Sequence, residues 1–193
     1  MKSDDDDISI DSGDNAFSTT IAKAHSFYLT GDIEGPEKYH KLFNTIRTAG
    51  QNDRIILHIN SYGGDLHTAI QFMRVITESK AHVVASVEGA CMSAATMIFL
   101  TADSHQISEH SVFMFHNYSS FSFGKGGELY DNIVFERDWS KNLLKRTYKH
   151  FLSKGEIADI LNNRDIWLNS EEVLARLNHR TDKLNKKFAK DNE

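Results

Sequence analysis

The sequence has very little cysteine and proline, and each shortage excludes a class of protein. Cys91 is the single cysteine among 193 residues, so no intrachain disulfide can form and a cysteine-based zinc site is excluded. The ten histidines include no HExxH or similar pairing, and we therefore expect no metal site. Pro36 is the single proline, which leaves no proline-rich linker in the chain.

Bilayer-spanning segments, secretory signals and nucleotide-binding loops are also missing. The apolar runs are too short and interrupted to cross a bilayer, and the N-terminus is acidic where a signal peptide has its apolar core. We therefore expect a cytoplasmic protein that does not contact membranes. A formal net charge of −5 gives no strong electrostatic footprint for nucleic acid. No GxxxxGK[ST] motif is present, so we expect no cofactor in this chain.

The length and composition predict one domain with a sizeable core. Apolar residues make up 40% of the 193 residues, which is ordinary for a globular protein. Residues 1–17 are polar and acidic, and we interpret them as a flexible arm, or as a gating or docking segment that orders in an assembly. The predicted domain covers residues 18–185, and a basic, polar tail follows at 186–193.

Strand and helix patterns alternate along the chain and predict an α/β fold with mostly parallel core strands. The strands are predicted at 25–33, 54–60, 82–89 and 111–116, and the helices at 37–50, 65–79 and 91–102. The sequence SYGG is predicted to form a turn after the second strand. Residues 128–155 are predicted to form one long helix, which should project from a small domain and pack on a partner.

Three features are candidates for a functional site. The sequence INSYGGD (59–65) places two glycines after a strand, where the backbone can approach a ligand or simply turn into a helix. Ser93 lies in the apolar run VEGACMSAATMIFLTA, near the free N–H groups of a helix start. It is either a nucleophile or a small core residue bonded to its own helix. His116 ends the strand SVFMFH, as a general base for Ser93 or as a structural histidine.

Together these stretches resemble the Clp protease proteolytic subunit family. The matching stretches are, in order, LTGDI, INSYGGD, GACMSAATMIFLTA, SVFMFH and RDIWLNSEEVL, and they span roughly residues 25–185. The serine motif and the histidine spacing are the specific elements, whereas LTG and GG are shared with the wider crotonase-like superfamily. The resemblance implies a fold of repeated β-β-α units with a projecting helix, the handle, at about 128–155.

The resemblance also implies a mechanism and an assembly. Ser93 falls at the family's nucleophile and His116 at its general base, and the oxyanion hole falls at the backbone N–H groups of Gly64 and Ala94. The implied protein is a serine endopeptidase that degrades unfolded polypeptides inside two stacked heptameric rings. ATP would be used by an AAA+ unfoldase partner and not by this chain.

The third member of the implied triad requires a choice between neighbouring residues. A gapless count places Arg180 at the family's aspartate, and a guanidinium cannot accept a hydrogen bond from a histidine. Asp182 lies two residues further on, before a KL pair that matches a strand start, and we predict that it completes the triad. Asn178 is the alternative, because an amide oxygen can also accept from the imidazole.

Departures from the family's pattern leave other functions open. Tyr62 replaces a proline, Cys91 and Met92 replace two alanines before the nucleophile, and NYSSFSFGKGG replaces an HQP-type sequence. The acidic arm also lacks the usual pattern of the family's axial pore loops. The alternatives are a capsid-maturation protease of the phage type and a catalytically weak regulatory subunit. An acyl-CoA enzyme of the crotonase type is disfavoured, because that chemistry needs no serine nucleophile at this position.

Overall fold

The computed structural model describes residues 21–120 and 123–191, with side chains as far as residue 181. The predicted acidic arm at 1–17 lies outside the described residues. The strands are β1 (Ala24–Ile33), β2 (Arg54–Gly64), β3 (His82–Met92), β4 (Ser104–Ile107), β5 (Val112–Phe115) and β6 (Ile166–Asn169). A 3₁₀ turn (Pro36–Tyr39) precedes the first helix, and the helices are α1 (His40–Thr48), α2 (Leu66–Glu78), α3 (Ala94–Thr101), α4 (Gly126–Tyr148), α5 (Lys154–Leu161) and α6 (Ser170–Asp191).

The strands form one six-stranded sheet, and the predicted α/β fold is confirmed. The strand order is β1-β2-β3-β5-β6, and β4 also pairs with β3. All pairs are parallel except β5 with β6, which is antiparallel. β4 pairs with Val84–Val87 of β3, whereas β5 pairs with Ala90–Met92. The carboxyl end of β3 therefore lies between the carboxyl ends of β2 and β5, which is where an open α/β sheet places its ligands.

Helices α1, α2 and α3 contribute most of the helical part of the core. Alternate residues of β2, namely Ile55, Leu57 and Ile59, are fully buried, as expected for a strand with one face against helices. Phe72 of α2 packs edge-on against Phe43 of α1, with 4.7 Å between ring centroids. Helix α3 is apolar except for Thr96 and Thr101, and every residue from Ala94 to Leu100 is buried, which agrees with its nearly all-apolar sequence.

Two strands are longer than the sequence predicts, and both extensions affect the site. β2 continues through the SYGG segment predicted as a turn, because Gly63 and Gly64 take positive φ angles of 99° and 140° and keep their pairing with β1. β3 continues to Met92, so Cys91 and Met92 are in the strand and not in the predicted helix. Both residues pair with β5, and this pairing overrides an apolar pattern that suits a helix equally well.

The long helix predicted at 128–155 is two separate helices. α4 ends at Tyr148, because Phe151 and Leu152 turn into the core and Ser153 caps α5. The Ser153 cap is a capping box, in which Glu156 accepts the backbone N–H of Ser153 at 2.8 Å. The boundary at 155 is therefore wrong, although a long helix is present.

Helix α4 changes character along its length. Its second half is anchored by Ser140, Leu144 and Tyr148, which are buried. Its first half leaves large apolar side chains exposed, among them Tyr130 at 70% and Phe135 at 69%. Such exposure is typical of a surface that packs on another protein. No helix in the described ranges is long and apolar enough to span a bilayer.

Helix α6 differs from the expectation at the C-terminal end of the sequence. It continues to Asp191 through the KL pair that we predicted to begin a strand. It also continues through most of the segment 186–193, which we predicted as a tail. The start of α6 is joined to α5 by Arg176, whose guanidinium donates two hydrogen bonds to Glu156 at 3.0 and 2.7 Å. Such a bidentate pair fixes both the distance and the angle between the two helices.

We expect Glu156→Gln to destabilise the protein at neutral pH and much less in acid. The hydrogen bond from Arg176 lowers the pKa of Glu156 from 4.5 to about 2 in the folded chain. A carboxyl with a lowered folded pKa stabilises the fold above its unfolded pKa, and the contribution is lost as the pH falls through the folded pKa. Urea unfolding at pH 7 should show a loss of about 1–2 kcal/mol, because the pair is partly exposed.

The matched control is Glu34→Gln, which removes an exposed ion pair with Lys38 and should be nearly neutral at every pH. The difference between the wild type and Glu156→Gln should shrink from about pH 4.5 down to about pH 2. An equal difference at both ends of this range would contradict the role of the ion pair.

Candidate active site

Ser93 lies at the junction between β3 and α3 with a strained backbone. It is the N-cap residue of α3 and has φ 54° and ψ −127°, a conformation that residues with a side chain rarely adopt. Such a conformation costs about 1–3 kcal/mol and persists only where neighbouring structure enforces it. The sharp strand-to-helix turn resembles the geometry that exposes a serine nucleophile in other α/β enzymes. The sequence predicts Ser93 inside the first turn of the helix, whereas in the structure Ser93 directly precedes the first helical residue, Ala94.

Neighbouring backbone fixes this turn from two sides. The N–H of Ser93 donates to the carbonyl of Met114 in β5 at 2.8 Å. Gly63 of β2 packs directly against the turn, and a Cβ at that position would lie 2.6 Å from the Cβ of Ser93. No side chain therefore fits at Gly63, which sequence analysis did not select. The glycine doublet after a strand was the signal that could have identified it.

His116 follows β5 directly and faces the serine. Its Nε2 atom lies 2.6 Å from the Oγ atom of Ser93, within hydrogen-bonding distance. Both side chains are partly buried, so the pair is accessible from the surface while much of its environment is protein. β3 and β5 are paired in parallel up to Met92 and Met114, which explains why residues just past their ends meet.

Gly64 and Ala94, the predicted oxyanion-hole residues, line the same cleft as Ser93 and His116. Ala94 is the first residue of α3, so its N–H has no carbonyl within the helix to bond to. Gly64 ends β2 with φ 140°, and a side chain there would clash with the backbone of Ile33. The structure thus brings four of the five predicted site residues together.

The cleft beside Ser93 has a volume of about 820 Å³ and lies between the sheet edge and α4. Apolar side chains form much of its wall, including Ile70, Met97 and Leu143. Trp139 of α4 stacks on His67 of α2, with 5.6 Å between ring centroids, and both line the cleft. The size is in the range of pockets that enclose a ligand's side chains. Sequence analysis did not identify these residues, because α2 and α4 are distant in sequence.

Two other ionisable groups near the serine have defined states. Burial raises the pKa of the Cys91 thiol, so this residue is a protonated part of the core and not a competing nucleophile. Asp65 caps α2 by accepting the N–H of Thr68 at 2.6 Å. Desolvation acts to raise the pKa of Asp65, but the interactions with Thr68 and His67 together outweigh it and the net shift is downward. Asp65 therefore adds a fixed negative charge to the cleft.

The third predicted member of the site stays a prediction. The side chain of Asp182 lies outside the described residues. Asn178 is exposed on α6 and forms no hydrogen bond with His116. Arg180 donates to the carbonyl of Leu100 at the end of α3, at 3.2 Å. Among the described residues, none accepts a hydrogen bond from Nδ1 of His116.

The comparison with protein families identifies the relationship. The sequence model of the family described as Clp protease matches residues 18–176. The chain belongs to the Clp protease family. This confirms the predicted resemblance, and membership implies a peptidase. The matched region of this Clp protease family member contains Ser93, His116, Gly64 and Ala94, and it ends before Asn178 and Asp182. A comparison with curated proteins found no match.

We expect Gly63→Ala to abolish most peptidase activity. The new Cβ would lie within 2.6–3.1 Å of Ser93 Cβ, Met92 O and Ala94 N, so the serine turn must move. Misplacement of a nucleophile by about 1 Å lowers the rate by about 100-fold. The measurement is the initial rate of peptide hydrolysis per folded molecule, with folding checked by circular dichroism.

Gly155→Ala is the matched control. Gly155 lies in α5, where an added Cβ would make only an ordinary contact, 3.9 Å from the Ser153 hydroxyl. It should keep full activity, because nothing near the serine changes. A Gly63→Ala protein with wild-type activity would mean that the serine turn does not depend on this contact.

Proposed function

We propose that this chain is a serine endopeptidase whose nucleophile is Ser93 and whose general base is His116. The observation that carries the proposal is the 2.6 Å approach of His116 Nε2 to Ser93 Oγ beside a cleft. A serine hydroxyl is a weak nucleophile by itself, and a hydrogen-bonded imidazole activates it by accepting its proton during attack. Membership of a peptidase family supports a peptide carbonyl as the target.

The proposed reaction follows an acyl-enzyme route. Ser93 Oγ attacks the carbonyl carbon while its proton passes to Nε2 of His116, and a tetrahedral oxyanion forms. The imidazolium then gives this proton to the departing amine, and the acyl group remains on Ser93. A water molecule then attacks the acyl carbon while His116 accepts its proton, and the bond from that carbon to Ser93 Oγ breaks as His116 returns the proton to the serine.

The N–H groups of Ala94 and Gly64 are the proposed oxyanion hole. The N–H of Ala94 is free by its position at the helix start, and it lies where the positive end of the α3 dipole favours negative charge. Gly64 reaches the same cleft through a backbone conformation that favours glycine. Loss of one such donor typically lowers kcat by about 100- to 1000-fold.

The cleft supports an extended polypeptide as the substrate. Its wall combines apolar side chains, which suit hydrophobic residues of a substrate, with polar groups at Asp65 and Asn117. An unfolded chain can place a scissile carbonyl between Ser93 and His116, whereas a folded protein cannot enter a cleft of this size. Degradation of unfolded polypeptides is therefore the substrate class that we propose.

We further propose that the chain works as a ring protease in the cytoplasm. The exposed apolar half of α4, with Tyr130, Ile133 and Phe135, supports packing against other subunits. Two stacked heptameric rings and an ATP-dependent AAA+ unfoldase partner are the assembly that the family resemblance favours. On this proposal the subunit needs no cofactor, and ATP is consumed by the partner.

A catalytically weak regulatory subunit is the second candidate. The observation that favours it is Arg180, which stands at the family's aspartate position by gapless count and bonds to the carbonyl of Leu100 instead of the imidazole. An imidazole without an acceptor at Nδ1 can adopt the wrong tautomer or orientation, and its protonated form is less stabilised.

A fluorophosphonate probe should label Ser93 and no other residue. The serine oxygen displaces fluoride from phosphorus only where a base and an oxyanion site activate it. Intact-mass spectrometry of the assembled protein should show one adduct, which is absent in Ser93→Ala and in His116→Ala. Ser86→Ala is the matched control, because Ser86 lies on the same strand away from the cleft and should leave labelling unchanged. The absence of an adduct on the assembled wild type would overturn the peptidase proposal.

The Asp182→Asn substitution should lower kcat by about two to four orders of magnitude, whereas Asn178→Ala should leave it unchanged. The reason is that a carboxylate, and not an amide, stabilises the imidazolium formed during attack. The measurement is peptide hydrolysis at saturating substrate, normalised to the fluorophosphonate-reactive fraction. The opposite ranking would assign the third position to Asn178. Full activity in both variants would show that neither residue assists His116.

A further inference from the structure

The strained turn at Ser93 is stabilised by hydrogen bonds from Thr96, which lies three residues further along the chain in α3. The carbonyl oxygen of Ser93 accepts two hydrogen bonds from Thr96, from the backbone N–H at 3.0 Å and from the side-chain hydroxyl at 2.6 Å. Thr96 is fully buried, so these bonds do not compete with water. Both peptide groups around Ser93 are thereby fixed, since its N–H is already bonded to Met114.

A tyrosine from the end of α4 completes this arrangement. The Tyr148 hydroxyl lies 2.7 Å from the Thr96 hydroxyl, and both groups are buried. A threonine hydroxyl has one proton, and Thr96 gives it to the Ser93 carbonyl. The Tyr148 hydroxyl must therefore be the donor to Thr96. Burial raises the pKa of Tyr148, so the phenol keeps its proton under all ordinary conditions.

Tyr148 also supports the histidine side of the site. Its ring packs edge-on against Phe115, with centroids 5.3 Å apart and planes at 86°. Phe115 is the last residue of β5 and is followed directly by His116. One side chain of α4 thus contacts the supports of both reacting groups, through a hydrogen bond on one side and ring packing on the other.

We infer that Thr96 and Tyr148 are positioning residues that hold Ser93 in its strained conformation and make its alignment depend on the placement of α4. This inference rests on the proposed function. The hydroxyls of these two residues bond to the Ser93 carbonyl and to each other, and not to Ser93 Oγ or His116.

The test removes each hydroxyl with little change in side-chain volume. Thr96→Val and Tyr148→Phe should each lower kcat for peptide hydrolysis by about 10- to 100-fold with KM unchanged, because the substrate contacts stay in place. Thr96→Ser keeps the hydroxyl and should restore most of the rate. The double variant should be no slower than the slower single variant, because both substitutions break one chain of hydrogen bonds.

The controls remove comparable hydroxyls elsewhere. Thr101→Val removes a hydroxyl that donates to Met97 O, at 2.8 Å, in the same helix, and Tyr39→Phe removes one that accepts the Glu34 N–H at 3.2 Å. Both should keep the wild-type kcat. Rates are expressed per folded molecule, so that a loss of stability alone would not change them. Wild-type kcat in Thr96→Val and Tyr148→Phe would overturn the inference.

Crystal structures of the wild type, Thr96→Val and Tyr148→Phe separate this inference from the proposed function. We expect Ser93 to leave its φ near 54° in the variants, or its Oγ to move away from His116 Nε2. A Ser93 turn that is unchanged in both variants would overturn the positioning role, whether or not the protein is a peptidase. A turn that relaxes in the variants, together with a wild type that keeps the turn and fails to react with fluorophosphonate, would support positioning and overturn only the proposed function.

Discussion

The left-handed backbone of Ser93 is the constraint on which the rest of the site depends. Strand β3 must end and helix α3 must begin within one residue, so the serine side chain is carried out of the sheet towards His116. Such a conformation is unfavourable for a residue with a Cβ, and surrounding structure must supply the difference. Hydrogen bonds provide part of this stabilisation, because β5 accepts the N–H of Ser93 and Thr96 donates to its carbonyl. Gly63, which has no side chain, leaves the space into which the turn fits.

The two halves of helix α4 lie in different environments. Its buried second half closes the cleft and reaches the serine turn through Tyr148, while its first half exposes apolar side chains. The placement of α4 and the conformation of the Ser93 turn are therefore linked by packing and by one chain of hydrogen bonds.

Much of the fold and part of the site follow from local pattern in the sequence. The parallel core strands and α2 with its Asp65 cap are local features, and the serine and histidine fall at strand ends where a sheet edge brings them together. The boundaries that failed are decided by distant contacts. Met92 is in a strand because β5 lies beside it, and α4 stops at Tyr148 because Phe151 and Leu152 enter the core. Thr96 and Tyr148, 52 residues apart, have no common signal in the sequence.

On the proposed function, the group that accepts a hydrogen bond from His116 Nδ1 sets the catalytic rate of the Ser93–His116 pair. A serine, a base and an oxyanion hole already lower the barrier, and loss of a carboxylate partner in other serine enzymes costs about four orders of magnitude without removing all catalysis. Arg180 cannot supply that acceptor, because a guanidinium only donates hydrogen bonds, and here it donates to the carbonyl of Leu100. The two proposed functions, a ring protease and a weak regulatory subunit, therefore differ in how strongly the protein stabilises the protonated imidazole of His116. Because α6 continues as an unbroken helix past residue 180, Asp182 lies on this helix, and the carboxylate role that we propose for it depends on how close this part of α6 comes to His116.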